Sequence, residues 1–334
     1  MEKYTEAVIR DIENFDAAEE VDTVYFGGGT PSVLGAKRIS RILDKLREKF
    51  IFVSPEITVE CNPSSTSAEL FEELFKAGVN RISLGMQSAV DSERRILGRK
   101  SDRKKITECV ENAKKAGFDN ISVDLMLGVP GQTNESLLAS IMFITQLDIQ
   151  HISAYMLSIE EGTFFGEHRE RYSFPDDDSV SDMYLFLCDY MEKLGFKQYE
   201  ISNFAKAGYK SRHNLKYWHD EEYVSFGPAA HSFYKGKRYF YERNLEKYIA
   251  SPEIIPDGDG GDKKEYVMLA LRLADGLDTS RFEKKFGALP EKFISLSDEY
   301  RKLGLMKKDG NSYSMTTCGF LISNTIIGNL VDTL

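Results

Sequence analysis

The stretch Thr23-Val24-Tyr25-Phe26-Gly27-Gly28-Gly29-Thr30-Pro31 decides the fold. Val24 and Phe26 predict a buried strand that runs directly into three glycines, a run that side-chain packing alone does not select. Because glycine has no Cβ atom, this loop can bring backbone N–H and C=O groups against a polar ligand. Pro31 favours an extended Thr30, with its hydroxyl at the mouth of the loop. The loop is either a plain strand-to-helix turn or part of a binding site, and the rest of the chain decides between the two.

The composition is that of an ordinary globular protein, with 334 residues, 42% hydrophobic and 29% charged. This length accommodates one large α/β domain and a smaller one. The net charge of -10 argues against nucleic acid as a partner. No apolar run approaches the roughly 20 residues of a membrane span, so we expect a cytoplasmic protein. The cysteines are too scattered for a disulfide framework or a Cys-x-x-Cys metal site, and we expect buried thiols at Cys61, Cys109, Cys188 and Cys318.

Helical and strand patterns alternate through the first two thirds of the chain. The predicted helices are 4–15, 36–50, 67–77, 103–116, 134–147 and 179–194. The predicted strands are 24–26, 56–61, 81–87, 120–127, 151–159 and 198–201. This alternation implies parallel strands joined by right-handed crossovers, and therefore an α/β fold with a full or partial barrel.

Four polar side chains lie at or near the carboxyl ends of successive predicted strands: Thr30, Glu60, Gln87 and Asp124. Ligands of parallel α/β folds bind at this edge. Any one of these residues can be merely solvated or a helix cap, but four of them beside a glycine loop indicate a site. Glu60 can accept hydrogen bonds from the two hydroxyls of a ribose, and Gln87 can both donate and accept. The set suits a nucleoside-bearing ligand with an amino-acid-like end. It lacks the lysine of a phosphate-binding loop and the dinucleotide glycine spacing.

Sequence motifs along nearly the whole chain match one known family. They are GGGTP (27–31), ECNP (60–63), SLGMQS (83–88), LGR (97–99), DLMLGVPGQT (124–133), HISAY (151–155), IEEGT (159–163), YEISNFA (199–205) and HNLKYW (213–218). In these motifs the chain resembles the oxygen-independent coproporphyrinogen III oxidase family of radical S-adenosylmethionine (SAM) proteins, and within it the heme chaperone branch. The resemblance implies SAM and haem as ligands. It assigns the methionyl part of SAM to Gly28, Gly29 and Thr30, and its ribose and polar groups to Glu60, Gln87, Arg99 and Asp124.

The family also carries a [4Fe–4S] cluster on an N-terminal Cys-x3-Cys-x2-Cys loop, which is not found in this sequence. A shortened polypeptide, a gene begun at an internal methionine and a natural form without the cluster are the open explanations. The resemblance therefore implies a partial (β/α)6 TIM-like radical SAM barrel without its first strand. We expect no radical catalysis from this chain, and we assign it no catalytic and no metal-ligating residues. The bare edge of strand 24–26 makes a homodimer a candidate assembly.

The HNLKYW motif marks the heme chaperone branch. A neutral His213 imidazole can ligate haem iron, and Tyr217 and Trp218 can pack on a porphyrin face. The alternative is a structural histidine in an aromatic loop, and the resemblance favours the haem role. The other histidines lack the spacing of a metal site and are interpreted as structural or exposed: His151, His168, His219 and His231.

The pattern changes from Lys263 onward, where three helices and a hairpin predict a winged-helix-like lid. Residues 252–262 are expected to form its linker. The predicted domains are a partial barrel (1–205), a family-specific segment with the HNxxYW motif (206–258) and the C-terminal lid (259–334).

The sequence thus predicts a heme chaperone that delivers haem to acceptor haemoproteins, with respiratory, membrane-associated ones as candidates. The alternative is an oxygen-independent coproporphyrinogen III dehydrogenase, which the HNLKYW motif disfavours. A barrel aldolase or isomerase is a third class, but no lysine or paired carboxylates at the strand ends support it.

Overall fold

The computed structural model describes all residues, Met1–Leu334. The helices of the first two thirds are α1 (Glu2–Asn14), α2 (Ala36–Lys49), α3 (Ala68–Lys76), α4 (Asp91–Ile96), α5 (Arg103–Ala116), α6 (Asn134–Gln146), α7 (Phe164–Glu167) and α8 (Asp177–Lys193). The later ones are α9 (Arg212–Trp218), α10 (Leu245–Ala250), α11 (Lys263–Ala270), α12 (Thr279–Phe286), α13 (Glu291–Lys302), α14 (Thr317–Leu321) and α15 (Ser323–Val331). The strands of the main sheet are β1 (Glu20–Phe26), β2 (Ile51–Cys61), β3 (Arg81–Gln87), β4 (Ile121–Leu127), β5 (His151–Met156), β6 (Lys197–Gln198) and β7 (Asn203–Ala205). Two small sheets contain β8 (His231–Tyr234), β9 (Lys237–Tyr241), β10 (Ile254–Asp259), β11 (Leu277–Asp278), β12 (Met306–Asp309) and β13 (Ser312–Met315).

The chain divides into two compact units. The barrel unit comprises Tyr25–Val33 and Ile57–Lys210, and the terminal unit comprises Met1–Val24, Leu34–Glu56 and Ser211–Leu334. The division of the sequence at 205/206 and 258/259 stays a prediction.

The main sheet has the strand order β1-β2-β3-β4-β5-β7-β6. The pairs β2–β3, β3–β4 and β4–β5 are parallel, and the helices between them make the crossovers. The last two strands reverse direction, because β7 pairs antiparallel with β5 and β6 pairs antiparallel with β7. This curled, mostly parallel sheet confirms the predicted α/β partial barrel.

The two faces of the parallel strands differ in polarity. One face is fully buried and apolar, with Val59, Leu84 and Val123 at 0% exposure. On the other face the register aligns Glu60 with Ser83 and Ser122 with His151. Since side chains alternate along a strand, every second residue of this sheet is free to serve a site rather than the core.

Local sequence explains where the helices of the barrel unit begin and end. The side chains of Ser67, Asp102 and Asp176 each accept a hydrogen bond from a first-turn N–H of α3, α5 and α8, respectively. Helix α5 ends at Gly117, whose φ of 112° is open to glycine. These signals place the helix boundaries close to those predicted.

One irregularity in the sheet affects the strand ends. The β3–β4 register shifts between Gly85, which is aligned with Asp124, and Gln87, which is aligned with Leu125. Gln87 also has a positive φ of 68°, which is uncommon for a side chain of this size. This bulge re-aims the end of β3.

The terminal unit has its own buried contacts. Helix α1 packs on α2 and α10. The buried carboxylate of Asp11 accepts hydrogen bonds from Tyr241 at 2.9 Å and from Tyr248 at 2.7 Å. Helices α11–α15 and the sheet β11-β13-β12 lie in the C-terminal part of this unit, where β13 pairs with both neighbouring strands.

Two local predictions and part of one alternative interpretation were wrong. The strand predicted at 198–201 is the two-residue β6, and β7 supplies the pairing with β5. The linker predicted at 252–262 contains β10, which pairs antiparallel with β9 through Ile254 and Tyr241. The aromatic loop of the alternative interpretation at 213–218 is instead helix α9.

Candidate functional site

Glu60 lies near the end of β2 and is held in place by the first strand and the glycine loop. The Tyr25 hydroxyl donates to Glu60 Oε1 at 2.7 Å, and the backbone N–H of Gly28 donates to Oε2 at 3.1 Å. Burial, and then the nearby Glu60 carboxylate, raise the pKa of Tyr25, so this phenol stays a neutral donor. Each carboxylate oxygen retains further acceptor capacity for a ligand.

The glycine loop presents open backbone. Gly28 and Gly29 have φ values of 80° and 67°, and a Cβ atom on either would meet no heavy atom within 4 Å. A Cβ atom on Gly27 would lie 2.5 Å from the ring of Tyr25 and 3.2 Å from Glu60 Oε1. Gly27 is therefore required for packing, while Gly28 and Gly29 leave room for a ligand beside the main chain. Thr30 follows directly and accepts from the N–H of Val33 at 3.0 Å through its carbonyl.

Gln87 and Arg99 meet beside Gly85. The Gln87 side chain is buried, with 2% exposure, and its Oε1 accepts from the Tyr155 hydroxyl at 2.7 Å. A Cβ atom on Gly85 would lie 3.2 Å from Gln87 Nε2 and 3.9 Å from Arg99 Nη1. The missing side chain of Gly85 therefore makes room for both polar groups. Burial, and then the Asp124 carboxylate, raise the pKa of Tyr155 to about 12, so this residue also stays a donor.

Asp124 is aligned with Gly85 on one side and with Ser153 on the other. Its Oδ1 accepts from the Ser83 hydroxyl at 3.2 Å. Burial, and then the Glu60 carboxylate, raise the pKa of Asp124 to about 7, although Ser83 and two arginines oppose the rise. Asp124 therefore changes charge near neutral pH.

These contacts connect Gly28, Glu60, Gln87, Arg99 and Asp124 at the strand ends, and Gly29 and Thr30 follow Gly28 in the chain. We name this place the strand-end site; it consists of Gly28, Gly29, Thr30, Glu60, Gln87, Arg99 and Asp124. The prediction from sequence missed Tyr25, Ser83 and Tyr155, which orient the site's side chains. Tyr25 and Tyr155 belong to sequence stretches quoted above. The alternation of side chains along a strand is the signal that could have indicated that these two face the site.

A polar layer lies on the same face of the sheet, nearer the strands' amino ends. Arg81 is 2% exposed, and its Nε atom has no hydrogen-bond partner. His151 is bonded through both ring nitrogens, to Ser122 at 2.7 Å and to Tyr199 at 2.8 Å. Burial, and then Arg81, lower the pKa of His151 well below its usual value, so the ring is neutral. The structural interpretation of His151 fits this arrangement.

The HNLKYW motif lies in the terminal unit and forms most of α9. The Glu56 carboxylate accepts from the backbone N–H groups of Arg212 and His213 at 3.2 and 3.1 Å. The His213 ring is bonded at Nδ1 to the Thr23 hydroxyl at 2.9 Å and at Nε2 to the Tyr217 hydroxyl at 2.8 Å. Both ring nitrogens are thus engaged, and the ring joins β1 to α9.

The remaining two aromatic residues of the motif pack inside the same unit. The Tyr217 ring meets Tyr223 edge to face, with centroids 4.6 Å apart. Trp218 lies under the guanidinium of Arg272, 5.8 Å from the ring centroid, and its buried indole N–H has no hydrogen-bond partner. A buried indole N–H without an acceptor is energetically costly.

The residues present do not fit an iron–sulfur cluster. No group of three or more His, Cys, Asp or Glu side chains is placed to hold a metal ion. The prediction of buried thiols is confirmed for Cys61 and Cys109, whose pKa values are raised by burial. It was wrong for Cys188, which is half-buried, and for Cys318, which is exposed near the start of helix α14. We therefore derive no chemical step through a cluster. None of the helices has the length and apolar character needed to cross a membrane.

The fold and the strand-end site define a radical SAM protein. The Radical SAM superfamily model matches residues 1–144, and the HemN C-terminal domain model matches residues 264–322. Membership of this superfamily implies SAM and a [4Fe–4S] cluster as its cofactors. The solved structure of Escherichia coli coproporphyrinogen III oxidase (HemN), a radical SAM enzyme, superposes with a TM-score of 0.85 at 21% identity, covering 100% of this chain and 83% of that one.

Curated relatives refine this class. The heme chaperone HemW of Lactococcus lactis is 34% identical over 98% of this chain and 88% of its own length. Those of Bacillus subtilis and Escherichia coli are 34% and 30% identical, over 94% and 97% of this chain and 86% and 88% of their own. The chain belongs to the HemW heme chaperone family.

Proposed function

We propose that this protein is a heme chaperone, which binds haem and delivers it to acceptor haemoproteins on a radical SAM scaffold. The observation that carries the proposal is the match, over nearly the full length of both chains, to relatives named heme chaperone HemW. The likeness to HemN is a likeness of fold, at 21% identity, and does not favour coproporphyrinogen chemistry. The proposed location is the cytoplasm.

The strand-end site suits SAM. This ligand combines a ribose with two hydroxyls and a methionyl end with a carboxylate, an amino group and a sulfonium. Gly28, Gly29 and Thr30 offer open backbone and a hydroxyl for the methionyl end. Glu60, Gln87, Arg99 and Asp124 provide acceptors, an amide and a guanidinium for the ribose and the remaining polar groups.

The protein's own groups prepare this site before a ligand arrives. Tyr25 and the Gly28 N–H fix the Glu60 carboxylate, and Tyr155 fixes the Gln87 amide. Asp124 in its ionised form attracts the cationic end of SAM, and Ser83 orients it. Preorganised side chains reduce the ordering cost of binding. When bound, SAM supplies adenosyl chemistry in this superfamily.

The HNLKYW helix is proposed to contribute to haem binding. His213 links Thr23 and Tyr217, so it sets the orientation of the Tyr217 ring. Tyr217 and Trp218 offer flat apolar surface for a porphyrin, and the unpartnered indole N–H of Trp218 can donate to a polar group of the ligand. A second copy of this chain is a proposed partner as well, because β1 is an edge strand of the main sheet.

Titration of the full chain with ferric haem and, separately, with coproporphyrinogen III tests the proposal. We expect a saturable change in haem absorbance and transfer of the bound haem to an apo-haemoprotein, without decarboxylation of coproporphyrinogen. Absence of saturable haem binding would overturn the proposal. His213→Ala should weaken haem binding, with His219→Ala, just after the end of α9, as the control. Unchanged affinity in His213→Ala would remove the motif from the haem site.

A further inference from the structure

The two ring nitrogens of His213 are bonded to different kinds of hydroxyl group. Its Nδ1 lies 2.9 Å from the hydroxyl of Thr23, an aliphatic alcohol on β1. Its Nε2 lies 2.8 Å from the hydroxyl of Tyr217, a phenol one turn further along α9. All three side chains are half-buried and belong to the terminal unit. The ring therefore lies between two groups that can each donate or accept a hydrogen bond.

The acidity of the two hydroxyls determines where the neutral ring carries its proton. A phenol is a much stronger acid than an aliphatic alcohol, so the phenol is the better donor and the alcohol oxygen the better acceptor. Burial, and then Tyr223, raise the pKa of Tyr217 to about 12, so this phenol keeps its proton. Tyr217 therefore donates to the lone pair of Nε2, and the Nδ1–H group of His213 donates to the Thr23 oxygen.

This placement of the protons is the one that a metal-ligating histidine requires. Such a histidine gives the lone pair of one ring nitrogen to the metal and donates the other N–H to an oxygen acceptor, which fixes the tautomer and the ring orientation. Thr23 provides this acceptor for His213. The lone pair that iron would take is, however, already used by the Tyr217 hydroxyl.

Helix α9 is fixed at its backbone, so the Tyr217 side chain is the part that can move away. The Glu56 carboxylate accepts from two N–H groups at the start of the helix. The Asp22 carboxylate on β1 pairs with two cationic side chains of the helix at 3.0 and 3.3 Å. The Tyr217 ring is held by its bond to His213 and by the edge-to-face contact with Tyr223. Rotation of this one side chain would free Nε2 without a shift of the helix.

We propose that the Tyr217 hydroxyl closes the iron-binding nitrogen of His213 in the haem-free protein, and that Thr23 positions the ring for iron. Haem then binds by exchange: the O–H···Nε2 hydrogen bond breaks, and an iron–nitrogen bond forms from the same lone pair. The phenol and Nδ1 both keep their protons, and the oxidation state of the iron does not change. The exchange weakens haem binding, which suits a protein that must release haem to an acceptor. The inference rests on the proposed function, in which α9 contributes to haem binding.

Titration of the full chain with ferric haem at pH 8, where an ordinary imidazole is neutral, tests the exchange. Tyr217→Phe keeps the flat ring and removes the hydroxyl, so it should tighten haem binding by about two- to tenfold. Tyr234→Phe is the matched control and should leave the affinity unchanged, because the Tyr234 hydroxyl is bonded to Glu19 at 2.6 Å. In a chain that also carries His213→Ala, Tyr217→Phe should have no effect, since the lone pair that it frees is gone.

Thr23→Val tests the positioning of the ring, because it keeps the shape of the side chain and removes the acceptor of the Nδ1–H group. Haem binding should weaken by about tenfold or more, and the electron paramagnetic resonance spectrum of the ferric iron should change. Thr23→Ser retains the hydroxyl and should keep both affinity and spectrum. Metal-free protoporphyrin IX should bind Thr23→Val, Tyr217→Phe and the unaltered chain alike, because it has no iron to ligate.

The outcomes separate the inference from the function on which it rests. If the unaltered chain fails to bind haem, the proposed function is overturned. If it binds haem and Tyr217→Phe binds haem no more tightly, the inference is overturned and the function stands. Unchanged haem affinity in Thr23→Val, or equal effects of the substitutions on metal-free porphyrin, would overturn the inference as well. Circular dichroism checks that each variant is folded; should Thr23→Val unfold, the Tyr217→Phe titrations with both ligands decide.

Discussion

The Tyr25 hydroxyl donates to Glu60 Oε1 at 2.7 Å and joins the end of the first strand to the end of the second. The bond holds a carboxylate at the strand-end site in one orientation, with the Gly28 N–H on its other oxygen. Tyr25 and Gly28 thus hold Glu60 in position beside the glycine loop, where the ligand is proposed to bind.

Tyr25→Phe tests this arrangement. Loss of a hydrogen bond to a charged group is worth about 1.5–3 kcal/mol, so we expect SAM affinity to fall by roughly tenfold or more. Isothermal titration of the full chain with SAM measures the effect. Tyr190→Phe, which removes a hydroxyl on α8, should leave the affinity unchanged, and equal loss in both variants would contradict the prediction.

Asp124 makes stability depend on pH. With its native pKa raised to about 7, the folded state holds a proton that the unfolded chain has released above about pH 4. The free energy of unfolding should therefore fall as pH rises from 4 to 7 and level off above. Relative to Asp124→Asn, the loss between pH 5 and pH 8 should be roughly 2–3 kcal/mol.

Urea unfolding of both chains at the two pH values measures this difference, and the comparison cancels the other titrating groups. Parallel pH profiles would show that Asp124 ionises at its ordinary pKa. The same group should make SAM bind more tightly at pH 8 than at pH 6, because the carboxylate attracts a cationic ligand only when ionised.

Gly28 and Gly131 form a matched pair for testing the loop. Both have positive φ, 80° and 75°, and a Cβ atom on either would meet no neighbour within 4 Å. Alanine at each should lower the free energy of unfolding by about 1–2 kcal/mol through backbone strain. Only Gly28→Ala should also weaken SAM binding, since its Cβ occupies the proposed ligand space. Equal affinity of the two variants for SAM would place the ligand elsewhere.

The Glu56 carboxylate accepts hydrogen bonds at the start of α9, the helix that carries the HNLKYW motif. Glu56→Ala leaves the N–H groups of Arg212 and His213 without their acceptor, which should lower the free energy of unfolding by about 1–3 kcal/mol. Glu20→Ala, which removes an exposed carboxylate on β1, is the control and should stay within about 0.5 kcal/mol of the unaltered chain. Chemical denaturation followed by tryptophan fluorescence suits the measurement, since Trp218 lies on this helix.

The barrel's parallel core could be predicted because each of its signals is local. Apolar strands, capped helices and the glycine at 117 determine their own boundaries within a few residues. The segments that were wrong depend on distant partners. β10 contains Pro256 and Gly258, which favour a linker, and becomes a strand because β9 supplies its hydrogen bonds. Helix α9 begins where Glu56, 156 residues earlier, accepts its first N–H group.

The strand-end site also has a part that could be predicted from the sequence and a part that could not. Parallel strands end at one edge of a sheet, so the gathering of Glu60, Gln87 and Asp124 followed from chain order alone. The partners that orient them did not, because Tyr155 reaches Gln87 and Ser83 reaches Asp124 through the register between strands. That register includes a bulge that no local pattern indicates.

The bulge at the end of β3 limits how this strand can change its length. Gly85 and Gln87, two residues apart on β3, are aligned with adjacent residues of β4. Deletion of Met86 would make this pairing regular. It would also turn the Gln87 amide to the opposite face of the sheet, toward the helices. The Tyr155 hydroxyl would then lose its acceptor. A surface loop tolerates an insertion or deletion of one residue, but the same change here would remove the Gln87 side chain from the site. The spacing from Gly85 to Gln87 is therefore a requirement for binding and not only for folding.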